Sequence, residues 1–241
     1  MATNFVEEVE LRRHRLATKP ALHRLYFEHY ERYARCVGRA TAAGMVVELG
    51  SGGGFANEVV PGLLRTDVAA APGVDLVVDA TAMPFADGSL RALLMMNVLH
   101  HIADVDLFLA EARRCLAVGG RLLIVDEFPG VPGRVMLKYF HHEGFDDTTP
   151  SWRLSSSGDA NGALAWMIFF RDRAEFESRY PELRIAAITP HTAVRYWLSG
   201  GLKMWSLLPD AAFDAVSAVE DRVTARWPRF ASFVDIELER R

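Results

Sequence analysis

Short apolar runs that stop at a glycine, a proline or an acid recur through the middle of the chain. The first, residues 45–49, ends on a glycine cluster, as a strand buried on both faces of a parallel sheet would. Residues 63–68 and 74–78 are further strand candidates, bounded by Pro61-Gly62 and Pro72-Gly73. A longer apolar run covers 90–99 and another covers 122–125. Between these two, apolar residues at 105, 108, 109, 112 and 116 follow acids, which predicts an amphipathic helix closed by Gly119 and Gly120. Strands alternating with helices over 45–127 predict βαβ units and a parallel sheet. Right-handed crossovers then bring the strand C-termini to one edge, where ligands of such sheets bind.

The flanks read differently. Leu11, Leu16, Leu22, Leu25, Tyr26 and Tyr30 recur at helical spacings in the first 43 residues, and Pro20 marks a break between two helices. The run Arg12-Arg13-His14-Arg15 reads as a solvated helix face. Beyond 128, turns at Pro129-Gly130 and Pro132-Gly133 precede a short helix at 135–142 and a polar loop at 146–162. Residues 163–180 are helical in texture, 183–188 alternates like a strand, and 230–238 reads as a last strand. Trp197, Trp205 and Trp227 lie in the stretch between those two strands.

Composition narrows the class. Half of the 241 residues are hydrophobic and 24% are charged, enough for a packed core and too apolar for a disordered chain. With 27 basic against 31 acidic residues the net charge is −4, which argues against a dedicated nucleic-acid binder. The apolar stretches fall short of the ~20 residues of a membrane span, and the acidic N-terminus lacks the layout of a secretory signal. Cys36 and Cys115 stand in no motif and read as two buried thiols in a reducing compartment. A cytoplasmic enzyme or binding module is expected.

The sharpest local feature is Glu48-Leu49-Gly50-Ser51-Gly52-Gly53-Gly54, directly after a strand. Consecutive glycines let the backbone turn sharply and admit a ligand to main-chain atoms. No Lys-Ser or Lys-Thr follows, so this is not a phosphate loop of the Walker type. Glu48 would be unwelcome beside a pyrophosphate and welcome beside a cation. Asp67 stands 19 residues on, where an acid is expected to hold ribose hydroxyls, and Asp79 ends a third strand. Three strand-end carboxylates suit a ligand with hydroxyls, an adenine amino group and a positive centre.

Over residues 44–128 the sequence resembles the class I S-adenosylmethionine-dependent methyltransferases, especially the ubiquinone/menaquinone-type group. The glycine segment resembles motif I. Asp67 stands where the family's ribose-binding acid stands, with Asp75 as the alternative because Asp67-Val68-Ala69 departs from the usual "D-x-S". Asp79-Ala80-Thr81-Ala82-Met83-Pro84-Phe85 is similar to "D-A-x-x-L-P-F", in which the acid and the next amide hold adenine. Asn97-Val98-Leu99-His100-His101-Ile102 resembles the end of strand four, beside the methionine moiety. Glu111-Ala112-Arg113-Arg114-Cys115-Leu116 with Gly119-Gly120 is similar to "E-x-x-R-x-L-x-P-G-G", Val118 replacing the proline in a turn. Beyond 128 the segments 140–146 and 198–201 resemble a bacterial subgroup without an assigned substrate.

The resemblance implies an α/β, Rossmann-like, doubly wound seven-stranded sheet, mostly parallel with an antiparallel last strand, plus helical caps. It implies one domain over 1–241, with a cap at 1–43, a cofactor core at 44–128, cap insertions at 129–181 and 191–228, and last strands at 182–190 and 229–241. The cofactor implied is S-adenosyl-L-methionine, with S-adenosyl-L-homocysteine as product. Its expected site residues are Glu48, Gly50, Ser51, Gly52, Gly54, Asp67, Asp79, Ala80, Asn97 and His101. The expected activity is methyl transfer to an O, N or C nucleophile of a small apolar or aromatic molecule. Non-methyl-transfer chemistry on the same fold, or a non-catalytic cofactor-binding partner protein, is the alternative.

Displacement at a sulfonium needs alignment, a dry site and a base where the nucleophile must lose a proton. His141, His142 and Glu127 are the candidates for that work. His141, His142, Glu143 and Asp146 cluster in sequence, but adjacent histidines diverge and H-x-x-x-H is absent, so no metal is expected. Trp152, Trp166, Phe169, Phe170, Tyr196, Trp197 and Trp205 read mainly as core, any share lining the cap implying an apolar substrate. A small-molecule substrate and at most a second copy of the chain, as a homodimer, are the expected partners, with neither nucleic acid nor membrane.

Overall fold

The computed structural model describes residues 2–140, 143–155 and 159–241, with side chains from residue 5 onward. Its strands are β1 Met45–Leu49, β2 Leu63–Asp67, β3 Leu76–Val77, β4 Leu90–Met96, β5 Leu116–Glu127, β6 Leu183–His191 and β7 Phe233–Arg240. They form one sheet in the order β3-β2-β1-β4-β5-β7-β6. β7 runs antiparallel to both neighbours, and the other pairings are parallel. The expected doubly wound sheet is therefore present. Strand order reverses between β1 and β4, and a crevice opens at the C-terminal ends of strands at such a switch point.

Alternation along each central strand explains the two layers. Val46, Ala92, Leu94, Leu123 and Val125 face a core shared with Leu22, Leu25, Tyr30 and Tyr33 of α2, Pro20–Arg39. Val47, Leu93, Leu122 and Ile124 face the opposite core, shared with Val105, Phe108, Leu109 and Ala112 of the helix Val105–Cys115. The chain enters through α1, Ala2–Thr18, and Pro20 starts α2 in the first turn, where its missing N–H leaves no gap. α3 is a single turn, Ala56–Val59, and α4 is Val105–Cys115. The Asp104 carboxylate caps α4, accepting hydrogen bonds from the amides of Asp106 (3.1 Å) and Leu107 (3.2 Å).

Three boundaries differ from the expectation. α4 stops at Cys115 and β5 begins at once, so Gly119 and Gly120 lie in the irregular start of that strand. There the register against β4 slips between Leu90 and Ala92, and Gly119 takes φ 81°; Val118 belongs to this irregularity too. The short helix after β5 is α5, Val131–Tyr139, because Pro132 suits a first turn. Residues 163–180 are broken into α6, Leu164–Trp166, a π-helical turn Met167–Arg171, and α7, Arg173–Arg179.

The later segments divide between sheet and crevice. Leu164, Ala165, Met167, Ile168, Phe169 and Phe176 pack on the sheet, whereas Met136, Phe140, Glu143 and Asp159 reach the crevice. Between β6 and β7 lie α8, Arg195–Leu198, and α9, Phe213–Arg226. Arg195, 1% exposed, ties this insertion to α2 through Glu28 (2.7 Å) and to α9 through Asp221 (3.2 Å). Cys36 and Cys115 are both buried and unbridged. Among the described residues no helix is long and apolar enough to cross a membrane.

Candidate active site

The glycine segment forms a tight turn across the ends of β1 and β4. Gly50 and Gly52 take φ of 67° and 50°. A Cβ on Gly50 would stand 2.3 Å from Val98 Cγ2, so the two strand ends approach this closely only over a bare Cα. The turn is fastened to β2: the Ser51 amide donates to Thr66 O (2.9 Å) and the Gly52 amide to Asp67 Oδ2 (2.8 Å). The Val68 amide donates to the other oxygen, Asp67 Oδ1, at 2.8 Å. α3 is only one turn long, and α1 lies over the glycines instead. A Cβ on Gly53 would stand 2.4 Å from Val9 O and 2.8 Å from the Arg13 amide nitrogen.

One cavity of about 900 Å³ occupies this edge, lined by all ten residues expected at the cofactor: Glu48, Gly50, Ser51, Gly52, Gly54, Asp67, Asp79, Ala80, Asn97 and His101. Glu127 lines it as well. His141 and His142 lie outside the described residues. Asp79 Oδ1 accepts from the Thr81 amide (2.8 Å) and hydroxyl (2.7 Å), which sets the loop that follows β3. Glu111 and Arg114 hold that loop from behind: Met83 N donates to Glu111 Oε2 (2.8 Å), and Arg114 donates to Met83 O (2.9 Å) and Phe85 O (2.7 Å). Asn97 sits at φ 54°, a left-handed conformation that asparagine tolerates. Asp75 points away from the expected role, its carboxylate gripping Arg65 at 2.7 Å.

The methyltransferase-domain family model matches residues 47–124, the span that carries the turn, the three acids and Asn97. Over these residues the chain carries a methyltransferase domain. Among solved structures, a geranyl diphosphate C-methyltransferase from Streptomyces coelicolor A3(2), crystallised with Mg²⁺, geranyl diphosphate and S-adenosyl-L-homocysteine, shares the fold. It superposes with a TM-score of 0.51 at 17% identity, over 91% of this chain and 80% of that one. The same enzyme with geranyl-S-thiolodiphosphate gives a TM-score of 0.50 at 17% identity, over 91% and 77% of the chains. A comparison with curated protein sequences finds no match.

The cavity suits the expected cofactor in its polar atoms. Ser51 Oγ and Asn97 Oδ1 are buried without a hydrogen-bond partner among the described residues, and both residues line the cavity. Burial, opposed by the Tyr33 hydroxyl and reinforced by Asp67, pushes Glu48 up to about 8. Burial also raises Asp67, against the two amides it accepts from. Burial pushes Glu127 up to about 7, against the pull of His100 and with the push of Asp126 and Glu143.

Arg12 and Arg15 carried no obvious sequence signal for this site. Arg12 and Arg15, expected on a solvated face, line the cavity. Their spacing with Phe5 and Glu8, at steps of three, four and three, is that of one helix face, and all four residues reach the cavity. His100 is buried with its Nδ1 2.6 Å from Asp126 Oδ1. Burial works against its cation, but Asp126, Glu143 and Glu127 hold the imidazolium well above the ordinary histidine range. Among the aromatics, Trp152 and Phe169 are core and Trp166 and Phe170 pack against it, whereas Tyr196, Trp197 and Trp205 line the cavity.

Proposed function

We propose that this methyltransferase transfers a methyl group to an O, N or C nucleophile of a small apolar or aromatic molecule. One observation carries the reading: the cavity runs without a break from the strand-edge acids to a wall of Met136, Phe140, Tyr196, Trp197 and Trp205. Such a wall suits an apolar body with a few polar contacts. The bound cofactor supplies an electrophilic methyl on a sulfonium. Asp67 takes ribose hydroxyls, Asp79 and the Ala80 amide take adenine, and Glu48, Ser51 and Asn97 take the charged methionine end. His101 closes the pocket beside them, and the glycine turn admits the ligand to backbone atoms.

Glu127 acts as the base where the acceptor must lose a proton. It is buried, it lines the cavity, and near neutral pH both of its protonation states are accessible. His141 and His142 stand as further candidates for that work on the sequence pattern alone. Arg12 and Arg15 supply positive charge for the cofactor carboxylate or for an anionic group of the acceptor. The domain division into a core at 44–128 with caps at 1–43, 129–181 and 191–228 belongs to the same reading, as does a place in the cytoplasm.

The test is turnover against a panel of small acceptors. S-adenosyl-L-homocysteine and a methylated acceptor should appear in equal amounts, with apolar and aromatic compounds preferred. Cofactor consumption without either product, or activity confined to strongly polar acceptors, would contradict the reading.

A further inference from the structure

The structure brings together three metal-ligating groups that the sequence reading left apart. His100 and His101 follow β4 in a 3₁₀ turn, Leu99–His101, and this tight turn keeps their rings on one side, 4.2 Å between centroids. Glu143 reaches them from the segment after α5. Its Oε2 lies 3.3 Å from His100 Nε2 and its Oε1 3.7 Å from His101 Nε2. One ligand atom from each residue falls within 4.8 Å of the others, and among the described residues only this group does so. Donors held ~2.1 Å from one tetrahedral ion are about 3.4 Å apart, and the two distances, each to a different oxygen of Glu143, lie close to that value.

The arrangement is supported from behind. Asp126 Oδ1 engages His100 Nδ1 at 2.6 Å, fixing the ring with Nε2 turned towards Glu143, the carboxylate–histidine relation found behind metal-bound imidazoles. The Asn161 amide donates to His100 O, and the Gly162 amide to Gly144 O, both at 2.9 Å. These two bonds fasten the loop that carries Glu143 to the turn that carries the histidines. All three residues line the cavity, at the end where Glu127 stands.

We propose that His100 Nε2, His101 Nε2 and the Glu143 carboxylate bind a divalent first-row transition-metal ion, the ion displacing the His100 Nε2 proton to solvent. Two imidazoles and one carboxylate suit Zn²⁺, Mn²⁺, Fe²⁺ or Co²⁺ better than the oxygen-seeking Mg²⁺ or Ca²⁺. Three protein ligands leave coordination positions open to the cavity, where an oxygen donor of the acceptor would bind. The ion site itself stands independently of the methyl-transfer reading; only this use of its open positions rests on it.

Metal-stripped full-length protein titrated calorimetrically with Zn²⁺ alone tests the site. Binding should be one to one, and His101→Ala and Glu143→Gln should each weaken it about 100-fold or more, since even outer-shell losses cost 10–100-fold. Asp126→Asn, which leaves the ligands in place, should weaken it by about 10–100-fold. His101 is exposed and Glu143 partly so, so those two variants leave the core intact. Co²⁺ should give visible d–d absorption that both variants abolish. Absence of Zn²⁺ binding, or binding unchanged in His101→Ala and Glu143→Gln, would overturn the proposal. Neither cofactor nor acceptor is present in this titration, so a negative result leaves the methyl-transfer reading standing.

Discussion

Asp67 Oδ2 accepts a hydrogen bond from the Gly52 amide at 2.8 Å, tying the end of β2 to the middle of the glycine turn. The same carboxylate therefore shapes the turn and, in our reading, holds the ribose. Asp67→Ala should weaken binding of S-adenosyl-L-homocysteine by about 10–100-fold, the range for losing a hydrogen bond to a charged group. Titration calorimetry checks this, and Asp67→Asn should fall between the two.

Gly54 meets Tyr30 across the turn: a Cβ there would stand 2.2 Å from the Tyr30 hydroxyl oxygen and 3.3 Å from the ring carbon that bears it. Gly54→Ala should destabilise the fold by about 1–3 kcal/mol through overpacking. Adding Tyr30→Phe should restore much of that loss, giving a favourable coupling in a double-mutant cycle read by urea unfolding. Gly50→Ala should show no such recovery, because its φ of 67° is strained for alanine whatever Tyr30 does.

Glu48 makes the stability of the protein depend on pH. Its folded-state value is raised from 4.5 to about 8, so the folded chain holds a proton that the unfolded chain releases. Stability of the cofactor-free protein should fall as pH rises from about 5 to 8, and Glu48→Gln should flatten that slope. Glu127 adds to the slope over a narrower window, being raised to about 7. A cationic ligand beside Glu48 favours its carboxylate, so cofactor binding near pH 7 should release protons. Calorimetry in buffers of different ionisation enthalpy measures the release, which Glu48→Gln should reduce.

Glu127→Gln keeps the side-chain shape and removes the base. For an acceptor that must lose a proton, kcat should drop by about 10²–10⁴-fold while the KM for the cofactor stays close to that of the parent. Steady-state kinetics separate the two. An unchanged kcat would move the base elsewhere.

The strand-edge side of the cavity was legible because its signals are local. A strand buried on both faces, a glycine turn and an acid at each strand end are written in consecutive residues, and Glu48, Asp67 and Asp79 reach one cavity by strand pairing alone. The facing wall of the cavity is assembled by packing between distant segments. Arg12 and Arg15 look like ordinary surface charge until α1 is laid over Gly53. Trp197 and Trp205 share their composition with core tryptophans such as Trp152, and only the path between β6 and β7 separates them. The expectation that adjacent histidines diverge fails at His100 and His101, since a 3₁₀ turn keeps both rings together. The start of β5 was missed because Gly119 and Gly120, which usually close a helix, here lie in a register slip.

The most direct test of the central claim is calorimetric titration of the wild-type chain with S-adenosyl-L-methionine and with S-adenosyl-L-homocysteine. The geometry predicts saturable one-to-one binding of both, weakened by Asp67→Ala. An absence of binding to both ligands by correctly folded protein would contradict the account.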